Sequence, residues 1–142
     1  MLDAWLEGEA GERLTNLEHG RLIRLRVELE VLGANPGLGV GFILANADGV
    51  GVFQFGGEIV KSVGNIELTA GDRVTVRADV ENLLTPGRYT IHCGINRAHT
   101  GDVALYVHDA VGFVVFGGEA QPQGIVSLPH ELSTAVDPGG TG

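Results

Sequence analysis

Five histidines, one cysteine and a single lysine are the side chains with which this sequence can attempt chemistry beyond that of its carboxylates. His92 and His108 fall on the polar positions of two alternating stretches, and His99 lies in the loop between them. A zinc site needs three or four converging ligands. The chain offers no cysteine pair, no His-Glu-x-x-His and no tight histidine spacing, so neither a metal nor a cofactor is expected. Nucleophilic catalysis finds no better footing. There is no Gly-x-Ser-x-Gly, and Ser62, Ser127 and Ser133 stand without a neighbouring base. Residues 56–62, Gly-Gly-Glu-Ile-Val-Lys-Ser, brush against a phosphate-binding loop, but Val60 stands where that loop needs glycine. The acids Glu28, Glu30, Asp79 and Glu81 alternate with apolar residues and read as the wet faces of strands, not as a glycosidase pair. The expectation is a protein that is not an enzyme.

A binding surface fits better. His92, Asn96, Tyr106 and His108 share one outward sheet face if the strand ending at Asn96 pairs with the one starting near Asp102. Gly39 and Gly41 fall in the outward register of another strand, where small residues leave a shallow trough. A sugar presents an apolar ring face and a rim of hydroxyls, so it suits an aromatic platform beside amide and imidazole groups. These four residues are the candidate carbohydrate site. The same pattern also suits a solvated sheet face with no ligand.

The elements that must position them are strands. Residues 73–81 alternate, with Val74, Val76, Ala78 and Val80 on one face. Leu84-Thr85-Pro86-Gly87 supplies a reversal. The next stretch sets Tyr89, Ile91, Cys93 and Ile95 against Thr90, His92, Gly94 and Asn96. Strand, turn and strand read as a hairpin, and the Leu-x-x-Gly-x-Tyr approach is how a tyrosine corner begins in immunoglobulin-like sandwiches. Residues 21–32 alternate most regularly, with Ile23, Leu25, Val27, Leu29 and Val31 inward. Residues 38–45 and 50–55 flank the Asp48-Gly49 turn of a second hairpin, and Gly56-Gly57 is expected to break the latter strand. Residues 58–67 carry the least pattern. Residues 102–116 form a long strand interrupted near Asp109-Ala110, residues 125–128 a last short strand, and residues 2–6 a first one. Together these imply an all-β protein: an immunoglobulin-like antiparallel β-sandwich of about eight strands. It spans residues 1–132, followed by a flexible tail over 133–142.

Composition is consistent with one folded domain, at 44% hydrophobic and 19% charged residues in 142. The 23 glycines are dispersed, as turn-rich β structure requires. A net charge of -9 repels phosphate backbones and anionic membranes, so no nucleic-acid partner is expected, while a neutral sugar or a protein is compatible. Cys93, on the apolar face of its strand, reads as a buried inert thiol, which points to the cytoplasm. No signal-peptide pattern or membrane-spanning run is present.

Several of these residues also resemble a family. The succession G-F-I-L-A-N-A-D-G-V-G-V-F (41–53), L-T-A-G-D (68–72), E-N-L-L-T-P-G-R-Y-T-I (81–91), D-V-A-L-Y-V-H-D-A-V-G-F-V-V (102–115) and G-I-V-S-L-P (124–129) is similar to the C-terminal domain of Wzt-type proteins. Those are the ATP-binding subunits of ABC transporters that export O-antigen and related polysaccharides. The resemblance covers about residues 20–130 and implies a glycan-recognising sandwich on the cytoplasmic side. It implies as partners the exported polysaccharide and the transporter's ATPase and permease. It also implies a homodimer, made in some members by exchange of the last strand, here residues 124–128 with a hinge at Gln121-Pro122-Gln123. Of another class is a structural or protein-interaction sandwich that docks through an exposed edge strand and has no sugar ligand.

Overall fold

The structure, a computed structural model, describes residues 1–33, 36–61, 64–65, 67–97, 100–118, 124–126, 128 and 131. Within these, nine strands follow one another: β1 (Asp3–Glu7), β2 (Arg13–Leu14), β3 (Asn16–Glu18), β4 (Ile23–Glu30), β5 (Leu38–Asn46), β6 (Gly51–Glu58), β7 (Arg73–Val80), β8 (Gly87–Arg97) and β9 (Val103–Phe116). They form two sheets, in the orders β2-β1-β4-β7 and β3-β9-β8-β5-β6. Among the described residues no helix is long and apolar enough to cross a membrane.

Alternation builds each layer. In β4, Ile23, Leu25, Val27 and Leu29 are buried, and burying each such side chain stabilises the fold by roughly 1.5–3 kcal/mol. Facing them from the other sheet are Phe42 and Leu44 of β5, Tyr89, Ile91, Cys93 and Ile95 of β8, and Val111, Phe113 and Val115 of β9. On the wet face of the first sheet, Arg26 bridges its two neighbouring strands. Its Nε donates to Glu7 at 2.7 Å and its Nη1 to Asp79 at 3.1 Å.

The sandwich expected from the sequence is present, with four differences. The stretches 73–81 and 87–97 do not pair as a hairpin: β7 pairs with β4 in one sheet, and β8 lies between β5 and β9 in the other. The connection between them crosses from sheet to sheet, and its residues Asn82, Leu84 and Thr85 are buried. A tight hairpin turn buries nothing comparable. Gly56-Gly57 does not end β6, because both residues stay extended and oppose Gly41 and Val40. Glycine lacks a side chain but keeps both main-chain hydrogen-bonding groups, so the ladder passes through it. Third, the strands number nine and not all pairs are antiparallel, since the short β3 runs parallel to β9. Last, the described residues of the segment from Gly124 show the antiparallel bridge of Val126 to Leu84 outside the nine strands. Ser127, Pro129 and the tail 133–142 lie outside the described residues.

The crossing is fixed by a buried hydroxyl. Tyr89 Oη donates to Thr85 O at 2.6 Å, four residues upstream, and its ring stacks on Phe113 at 5.8 Å. Thr85 Oγ1 in turn donates to Gly124 O at 2.7 Å, and Thr85 N to Ile125 O at 2.8 Å. The tyrosine corner therefore holds both the crossing and the segment from Gly124.

Candidate functional site

The wet face of the second sheet can be taken as rows across the strands. In one row Gly56, Gly41 and Gly94 stand side by side on β6, β5 and β8, and Tyr106 of β9 follows. The Tyr106 ring leans back over Gly94, coming within 3.4 Å of where a Cβ would stand. On one side of this row lie Gln54, Ile43 and His92, and on the other Glu58, Gly39 and Asn96. The outcome is a depression of about 130 Å³. Gly41 and Gly94 lie in its floor, and Gln54, His92, Asn96 and Tyr106 line it.

On this face the rings of His92, Tyr106 and His108 come together. The rings of His92 and Tyr106 lie 6.4 Å apart at 26°, those of His92 and His108 5.4 Å apart at 70°, and those of Tyr106 and His108 4.6 Å apart at 68°. Their roles differ. Tyr106 is 41% exposed and offers a ring face. His108 meets Tyr106 edge-on and supports it without lining the depression. Asn96 reaches over Gly39, where any side chain would collide with its amide. Gly39 is consequently buried, and the trough expected at both glycines is open only at Gly41.

His92 is held in one tautomer. Asp109 N donates to His92 Nδ1 at 2.9 Å, so Nδ1 carries the lone pair and Nε2 the proton. The donor reaches it because β9 bulges. The register steps from Ile91–Val111 to Cys93–Val107, leaving residues 108–110 opposite His92 alone. Asp109 takes φ 52° there, a left-handed conformation that Asp tolerates better than most residues. The interruption expected at Asp109-Ala110 is this bulge. Bulges re-aim side chains, and this one turns a backbone N–H onto a ring nitrogen.

Elsewhere, Cys93 is 1% exposed, and burial pushes its thiol up to about 11. No group of three metal-binding side chains occurs among the described residues, and His99 lies outside them. A second cavity was not legible in the sequence. Between β6 and β7, the last strands of their sheets, an apolar groove of about 580 Å³ is lined by Phe53, Phe55, Val80, Leu83 and Val126. Phe53, 49% exposed, stacks on Phe55 at 5.4 Å. Which strands become edges depends on topology, and alternation within one strand carries no sign of it.

A two-sheet β-sandwich with a shallow, ring-lined depression on one face is the class defined by this geometry. The chain belongs to the Wzt C-terminal domain family, whose model matches residues 1–128 and so includes the first strands as well. Its fold is similar to that in the crystal structure of the C-terminal domain of Wzt, with a TM-score of 0.77 and 13% identity over 95% of this chain and 83% of that one. At that identity the likeness speaks for the fold alone. An alkylpurine DNA glycosylase of Pseudomonas fluorescens bound to DNA containing an abasic site analog gives a TM-score of 0.46 at 16% identity, over 81% of this chain and 31% of that one. No curated protein matches the sequence.

Proposed function

We propose that this chain is a non-catalytic carbohydrate-binding module that recognises an O-antigen-like polysaccharide for export by an ABC transporter. The observation that carries the proposal is the exposed Tyr106 ring, buttressed by His92 and His108 beside a depression with amide and imidazole donors, in a domain of this family. A ring face stacks on a sugar's apolar side while Gln54, Asn96 and His92 Nε2–H meet its hydroxyls. The partners on this reading are the transporter's ATPase and permease, and the site of action is the cytoplasmic face of the membrane. We read the sandwich as immunoglobulin-like because Tyr89 bonds back to Thr85 as a tyrosine corner does. We also propose a homodimer by exchange of residues 124–128, which light scattering of the purified chain tests. Calorimetric titration with the surface polysaccharide of the producing cell tests the module. Saturable heat that is lost on Tyr106→Ala supports it. The absence of heat with folded protein at millimolar sugar sinks it.

The apolar groove between β6 and β7 favours a second reading, a protein-interaction domain that takes an added strand at its edges. Pull-down of the ATPase or permease that survives Tyr106→Ala but is lost on Phe53→Asp would favour that reading.

A further inference from the structure

The polar groups that line the depression are the Gln54 and Asn96 amides, the Tyr106 phenol and the His92 imidazole. His92 Nδ1 accepts the Asp109 N–H, which leaves Nε2 to face a ligand. No lysine or arginine is among the described residues that line it. The arginines of β8 lie at its ends, Arg88 four residues from His92 and ~13 Å away by strand rise, and Arg97 next to Asn96 but of opposite parity. Two carboxylates stand beside these rows. Glu58 ends the row of Gly39 and Asn96, and the Asp109 carboxylate stands 3.7 Å from His92 Nδ1. A phosphate, sulfate or uronate here would find no lysine or arginine among the described lining residues, in a chain of net charge -9.

The cavity also has a direction. Its floor runs across the strands through Gly41 and Gly94 and ends under the Tyr106 ring, at ~4.8 Å per strand.

We propose that the depression takes an uncharged stretch of glycan laid across β5 and β8, and that Gly41 is the specificity-determining position that leaves it room. This rests on the carbohydrate-module reading above. A Cβ added at Gly41 meets nothing within 4 Å, so Gly41→Val fills the floor without disturbing the sandwich, and valine suits a strand.

The test is an array and calorimetric screen of the whole chain and its Gly41→Val variant. The probes are short neutral fragments of glucan, galactan, mannan and rhamnan, together with oligogalacturonates and phosphomannan fragments. The expected result is binding to a neutral fragment that is unchanged between low and high salt and weakened about tenfold or more by Gly41→Val at an unaltered melting temperature. Anionic fragments binding as well as neutral ones, or Gly41→Val binding like the parent, overturns this inference and leaves the module standing. Failure of every probe to bind folded protein overturns both.

Discussion

The Asp109 main-chain N–H donates to His92 Nδ1 at 2.9 Å, and Asp109 reaches it only by taking φ 52° inside a bulge. A left-handed residue costs an L-amino acid about 1–2 kcal/mol, least for Gly, Asn and Asp. Asp109→Gly should therefore hold or raise the denaturation midpoint. Asp109→Val, β-branched at positive φ, should lower stability by about 1–2 kcal/mol. The ring-nitrogen shifts of labelled His92 should show the Nε2–H tautomer in the parent and in Asp109→Gly. Equal midpoints for Val and Gly, or an Nδ1–H tautomer, would contradict the bond.

The two rings separate binding from folding. Tyr106 is 41% exposed, so Tyr106→Ala should weaken glycan binding with little change in melting temperature. His92 is more enclosed, with its side chain 18% exposed and one hydrogen bond accepted. His92→Ala should weaken binding too, and also destabilise by ~1 kcal/mol through the lost bond. Normal binding by both variants would move the site off this face.

Strand alternation made the inner and outer faces of β4, β5 and β8 legible, because a period of two is written locally in the residues. It also put Tyr106 and His92 on one face once β8 and β9 were taken as neighbours. Pairing between β7 and β8 was misread for a physical reason. Proximity in sequence favours a hairpin, but the buried Asn82, Leu84 and Thr85 route the chain across the core, and burial of a loop is invisible to alternation. Gly56-Gly57 misled in the same way, since a turn-former that stays extended looks identical in sequence to one that turns. The Asp109 bond to His92 needed the bulge's geometry, of which the sequence showed only an interruption.

Cys93 gives a pH test of the core. Its thiol is buried, which disfavours the thiolate and raises the pKa from 9.0 to about 11. Below pH 9 both folded and unfolded chains keep the proton, and stability is unaffected by this group. Between about 9 and 11 the unfolded chain binds fewer protons, so stability falls as pH rises, by at most about 1.4 kcal/mol per pH unit. Cys93→Ala should remove that part of the alkaline loss. In the native protein alkylation at neutral pH should be slow, and denaturant should make it fast. Rapid labelling of the folded chain would show that the core around β8 opens.

The hydroxyl of Tyr89 joins the crossing between the sheets to the segment from Gly124. It donates to Thr85 O at 2.6 Å, and both residues are buried. Tyr89→Phe leaves that carbonyl short of a donor while keeping the ring on Phe113, so it should destabilise by ~1–2 kcal/mol. Thr85→Val removes the bond to Gly124 O at 2.7 Å and retains the Thr85 N bond to Ile125 O at 2.8 Å. It should therefore loosen the chain around Gly124 more than it lowers global stability. Amide exchange separates the two. Tyr89→Phe should speed exchange throughout β8, and Thr85→Val should act mainly at residues 124–126. If residues 124–128 exchange between copies of the chain, Thr85→Val should also shift the dimer equilibrium measured by light scattering. An unmoved denaturation midpoint in Tyr89→Phe would mean that the corner positions the crossing without stabilising it.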